Sequence, residues 1–247
     1  MRISALNANG NQLHPVSTPA PDAVLRKTVR LARLMEVPII VCMSGLPAAP
    51  GDSSPNWVSS SWPPENVTIL EHQWEQVAIP YWRDFAFFAA EQSVQLAIQP
   101  CFAQLIYNAS TARRLIDSVG SRSIGVNLDP SHLMAMGADI PSVIRALAGS
   151  IVHVQAKSDL LNAPIVAANG LHDGTAMTLP QDRAWNYETL GLGHPAGESV
   201  GMPDRHARCS FTRNYPYLNA EAQVISGALE GSFCLQISCH PLHRTTK

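Results

Sequence analysis

The sequence predicts an α/β fold built on a parallel sheet, and three observations carry that expectation. Short continuous apolar runs at residues 37–43, 94–98 and 124–128 have the length and composition of strands buried on both faces. Between them lie stretches whose apolar residues return every three or four positions, the period of helices packed on a sheet. With 247 residues, 46% of them hydrophobic and 15% charged, the chain is also long and apolar enough to bury a sizeable core.

In chain order, residues 3–6 form a short strand and run into a polar loop, residues 7–15, rich in turn formers and carrying His14. After Pro21 and Asp22, a helix start, Val24, Leu25, Val29, Ala32 and Leu34 recur at helical spacing. The strand at 37–43 ends in Ser44-Gly-Leu-Pro47, and the Pro-, Ser- and Trp-rich segment up to Glu65 lacks periodicity, as a long loop does. From 66 to 92, Leu70, Trp74, Val77, Tyr81, Phe85, Phe88 and Ala89 predict one kinked helix or two joined ones, with Pro80 inside and the aromatic side chains packed as core. The strand at 94–98 exits through Gln99, and a helix at 110–118 follows Tyr107-Asn108.

The next strand, residues 124–128, stops at Asp129-Pro130, because proline cannot continue a ladder. Asp129 and His132 thus stand at the carboxyl end of a strand, where α/β folds gather their ligands. The alternative at this point is structural: Asp129 caps the turn and His132 packs against it. Pro141 starts a further helix, residues 151–154 form a fifth strand leaving through Gln155-Ala-Lys157, and residues 158–195 are expected to be loop-rich, with one helical segment near 182–189.

The net charge of −2 does not suggest a nucleic-acid partner, and no apolar run approaches the roughly 18 residues of a membrane-spanning helix. Five cysteines without a CxxC pair suit reduced thiols, and residues 1–6 lack a secretory pattern, so a cytoplasmic location is expected. Cys239, His240 and His243 carry zinc-type donors, but they lack the partner pair that a structural zinc site requires.

Taken together, Asn11-Gln-Leu-His-Pro15, Ser44-Gly-Leu-Pro47, Pro55-Asn-Trp-Val58, Trp74-Glu-Gln-Val-Ala-Ile-Pro-Tyr-Trp82, Asn127-Leu-Asp-Pro-Ser-His132, Val152-His-Val-Gln-Ala-Lys157 and Gly191-Leu-Gly-His194 resemble the sugar phosphate isomerase/epimerase family with the xylose isomerase-like TIM barrel. The resemblance implies a (β/α)8 barrel that is incomplete, its first two βα units absent, over residues 1–200, followed by a divergent, irregular C-terminal tail at 201–247. It also implies a divalent metal, Mn or Mg, and proton transfer next to the carbonyl of a sugar or sugar phosphate.

Carried onto this chain, the metal positions fall on Asp129, Gln155 and Ser238, and the catalytic positions on His132 and Gln99, the latter replacing a glutamate. His153 remains beside Gln155 but belongs to the other face of its strand. His14 and Lys157 are the candidate substrate-binding residues. An amide is neutral and cannot act as a base, so metal binding and catalysis are expected to be weakened or lost. The other function to weigh is a non-catalytic carbohydrate-binding or interaction protein, or a fragment without function. An incomplete barrel leaves sheet edges open, which predicts self-association.

Overall fold

A computed structural model describes residues 3–16 and 21–188, and the backbone of 220–223 and 235–239. The chain divides into two compact units, residues 1–127 with 149–151, and residues 128–148 with 152–247.

The first unit is a parallel sheet with helices in its connections. Strands β1 (Leu6–Asn7), β2 (Ile39–Met43), β3 (Gln95–Gln99) and β4 (Ile124–Leu128) follow one another in order. Leu6 lies opposite Ile40, Ile40 opposite Leu96, and Leu96 opposite Ile124. Ile40, Val41, Leu96, Ala97 and Val126 are all buried, as expected of strands covered on both faces.

Helix α1 (Pro21–Leu34) buries Leu25, Val29 and Ala32 of the stripe its spacing predicts, whereas Val24 and Leu34 at its edges are exposed. The aromatic stretch forms α2 (Glu65–Glu71), a π-helical segment His72–Ala78 and α3 (Ile79–Glu91) without a break. This answers the choice between one kinked helix and two: the chain stays helical, and widened turns lead up to Pro80, whose ring lacks the N–H of a regular turn. Trp74, Trp82 and Phe85 are core side chains, as expected. Gln73, buried in the π-helical segment, donates to the carbonyls of Pro47 and Asn56 at 3.0 and 2.6 Å and so anchors the long loop after β2. At the exit of β2, Gly45 has φ +76°, and a Cβ there would lie 2.9 Å from Leu13 Cγ, which explains a glycine at this position. Helix α4 (Ala109–Val119) begins at a capping box in which Asn108 Oδ1 accepts from the Thr111 N–H and Thr111 Oγ1 accepts from the Asn108 N–H.

The second unit contains α5 (Pro130–Met134), α6 (Ile140–Ala146), β5 (Ile151–Ala156), β6 (Ser158–Leu161), α7 (Ala163–Asn169) and β7 (Trp185–Glu188). Here the expectation of a helical segment near 182–189 is corrected. After a single 3-10 turn at Pro180–Asp182, the described part of that stretch contains strand β7, antiparallel to β6, with Ser158 opposite Glu188 and Asp159 opposite Tyr187. The two partners lie far apart in sequence, so local periodicity over four-residue strands did not reveal them. In the tail, the backbones of β8 (Ala220–Gln223) and β9 (Leu235–Cys239) pair antiparallel, and β9 pairs antiparallel with β5. The α/β architecture is that of an incomplete barrel: the parallel strands among the described residues are fewer than the eight a closed barrel needs.

Candidate functional site

Asp129 caps α5: its Oδ1 accepts from the Ser131 N–H at 3.2 Å and from Ser131 Oγ at 2.7 Å, and Pro130 at the first helical position suits this start. The cap is completely buried. Because one oxygen serves the cap, the other is turned to the Lys157 ammonium, with which it forms an ion pair, and His132 Nε2 lies 3.5 Å from the same oxygen. The structural and functional alternatives for this carboxylate therefore coexist in one side chain.

His132 is held at its other nitrogen as well. Nδ1 lies 2.8 Å from the Tyr187 hydroxyl, and the two rings meet edge to face at 5.2 Å between centroids. Burial lowers the His132 pKa to about 4 against the opposing pull of Asp129, with Lys157 adding to the fall, so the imidazole is neutral at physiological pH. With Nε2 facing a carboxylate, the Nε2–H tautomer is favoured, and Nδ1 accepts from the Tyr187 O–H. The Lys157 ammonium also stands 5.3 Å from the centre of the Tyr187 ring. Asp129, Lys157, Tyr187 and His132 thus close a ring of contacts within the second unit.

Two of the groups in this cluster were not identified from the sequence. Tyr187 lies on β7, which was expected to be helical. Asp159 lies on β6, directly opposite Tyr187. It is completely buried, and no hydrogen-bond donor other than the nearby Ala135 amide faces its carboxylate oxygens. Burial and the nearby Asp129 charge push its pKa up to about 8, against Lys157 and the Ala135 amide, which favour its anion. The available signal was the Lys157-Ser-Asp159 spacing, which places both side chains on one face of an extended segment.

The remaining sequence candidates lie elsewhere. Gln155 is buried on β5 and His153 is buried two residues before it, its pKa lowered to about 4 by burial. Gln99 and His14 belong to the first unit. Gln99, at the end of β3, accepts a hydrogen bond from Asn127 Nδ2 at 2.8 Å. His14 closes a turn: its N–H donates to Asn11 O at 3.2 Å, and its Nδ1 accepts from the Val16 N–H at 3.0 Å. Ser238 is placed by its backbone on β9, opposite Glu221, and its side chain lies outside the described residues, as do His240 and His243. Among the described residues, no group of three or more His, Cys, Asp or Glu side chains is arranged to hold a metal ion.

The profile of the family described as xylose isomerase-like TIM barrel matches residues 3–199. The chain belongs to the xylose isomerase-like TIM barrel family. A curated relative, the uncharacterized protein YfiH of Bacillus subtilis (strain 168), is 42% identical over 198 residues, 78% of this chain and 63% of that protein. The chain therefore spans less than two thirds of that relative's length. Among solved structures, a probable 3-DHS dehydratase, AsbF, involved in petrobactin synthesis in Bacillus anthracis, matches with a TM-score of 0.51 at 13% identity, over 80% of this chain and 62% of that one. An L-ribulose 3-epimerase matches with a TM-score of 0.47 at 20% identity, over 62% of this chain and 50% of that one. At 13% identity the AsbF match bears on the fold alone. Among the described residues, no helix is long and apolar enough to cross a membrane.

Proposed function

We propose that this member of the xylose isomerase-like family is a sugar or sugar phosphate isomerase/epimerase-like protein that binds a polyhydroxylated carbonyl compound through Asp129, His132 and Lys157, with metal-assisted proton transfer weakened or lost. The observation that supports this most directly is the buried Asp129 carboxylate, joined to Lys157 and faced by a neutral His132 at the end of a strand. In such a site the lysine supplies a cation for a carbonyl or phosphate oxygen, and Asp129 and the neutral His132, both already engaged within the cluster, hold that cation and its Tyr187 support in place.

The donor set does not fit a hard divalent cation. One Asp129 oxygen is engaged by the cap and the other by an ammonium, and Gln155 is a neutral amide where the resemblance implies a histidine. A second reading, a non-catalytic carbohydrate-binding protein, draws support from Gln99, whose amide cannot take a proton and whose oxygen already accepts from Asn127. Open strand edges lead us to infer self-association as well.

Calorimetric titration of the full chain with D-fructose and D-fructose 6-phosphate tests the sugar site, alongside NMR detection of solvent deuterium entering next to the carbonyl. We expect saturable binding that His132→Ala weakens by about tenfold, as loss of one buried hydrogen-bonding group does, with deuterium entry at or near the uncatalysed rate. Absence of binding to either probe would remove the sugar site. Fast deuterium entry stimulated by Mn²⁺ would remove the claim of weakened metal chemistry.

A further inference from the structure

We propose that Lys157 is the resident cation of this site, its ammonium paired with the buried Asp129 carboxylate where a divalent ion would otherwise be drawn in. The inference rests on reading the Asp129 cluster as the functional site, and it goes beyond that reading by saying what balances the site's charge and what the site excludes. Two independent observations carry it.

Asp129 is completely buried and spends one oxygen on its helix cap, which leaves a single oxygen for a counter-charge, and Lys157 is paired with that oxygen. Asp159, also completely buried, adds no full second charge to this pair: burial pushes its pKa up to about 8, so at neutral pH it is mostly the uncharged acid. Finally, the ammonium is held in place from a second side by the Tyr187 ring, which β7 sets directly opposite Asp159.

The chemistry of the exchange is simple. A lysine ammonium offers one positive charge and three directional N–H donors, whereas Mn²⁺ or Mg²⁺ offers two charges and demands about six oxygen or nitrogen donors. With Lys157 present, a metal must displace a covalently tethered cation whose effective concentration is high. Without it, the buried Asp129 carboxylate is left without its counter-charge and must recruit a cation from solution.

Mn²⁺ titration of the full chain, read by calorimetry and by electron paramagnetic resonance of free Mn²⁺, tests the proposal on wild type, Lys157→Arg and Lys157→Met. Wild type and Lys157→Arg are expected to show no saturation below millimolar Mn²⁺, and Lys157→Met to bind at least about tenfold more tightly, with a thermal midpoint that rises with Mn²⁺. Micromolar binding by wild type overturns the proposal, as does equal affinity in wild type and Lys157→Met. If Lys157→Met does not fold alone, recovery of folding in Mn²⁺ but not in Na⁺ of equal ionic strength supports the proposal. If it folds in neither, Lys157→Gln, which keeps a neutral donor facing Asp129, decides: tighter Mn²⁺ binding than wild type supports a resident lysine, and no gain overturns it. These outcomes concern metal alone, so a failure to bind D-fructose leaves them intact, and their failure leaves sugar binding to be judged separately.

Discussion

Asp129 shows how one side chain serves both the fold and the chemistry. Its two oxygens face different ways, one into the start of α5 and one toward Lys157, so removing the charge both frays a cap and strands an ammonium. Cys42, in the first unit, shows the opposite environment. It is fully buried on β2, and burial without a compensating cation pushes its thiol up to about 12 from an ordinary 9.0. Its folded pKa thus lies above the unfolded value. Between the two, the unfolded chain loses a proton that the folded chain retains, so this thiol's contribution to stability is present below about pH 9 and shrinks as pH rises toward 12. We expect Cys42 to resist iodoacetamide at pH 8 in the native protein and to react once urea unfolds it. Mass spectrometry of the tryptic peptide checks this, and rapid native labelling would contradict the burial of this strand.

Among the elements, α4 is one whose start can be read from its own residues. Asn108 and Thr111 satisfy each other's backbone N–H groups reciprocally, and Gly120 closes the far end at φ 66°. Replacing Asn108 by alanine removes one half of that exchange at a half-buried position and is expected to cost about 1 kcal/mol. A urea titration followed by circular dichroism measures this as a lowered midpoint with an unchanged slope, and an unchanged midpoint would show that the cap contributes nothing. Strands β6 and β7 belong to another class. Each is four residues long, too short for alternation to be distinctive, and β7 exists because β6 offers it a partner across a long intervening segment.

For the whole molecule, the sheet of the first unit has β1 at one end, paired with β2 on one side and with no partner on the other among the described residues. Nearby in sequence, α1 exposes Leu31 and Leu34, and Met35 just after it is exposed as well. An unpaired parallel edge and exposed apolar side chains both favour contact between copies. Size-exclusion chromatography with light scattering is expected to show species larger than a monomer whose proportion grows with concentration, and a clean monomer over a hundredfold range of dilution would refute it.

Local pattern was enough for much of this protein. It settled the parallel α/β character, the strand at Ile124–Leu128, the helical stripe of α1, the core role of Trp74, Trp82 and Phe85, and the placing of Asp129 and His132 together after a strand. Each of these follows from the residue's own period and neighbours, because burial on a strand or helix face imprints its repeat on the sequence. Tertiary structure alone decided that β7 is a strand, that Asp159 is buried opposite Tyr187, that Tyr187 meets His132, and that Lys157 turns inward to Asp129. Those contacts join residues distant in the chain. A lysine, an aspartate and a tyrosine have the same local pattern whether they face water or one another, and only the pairing of β6 with β7 removes the water that would have separated their charges.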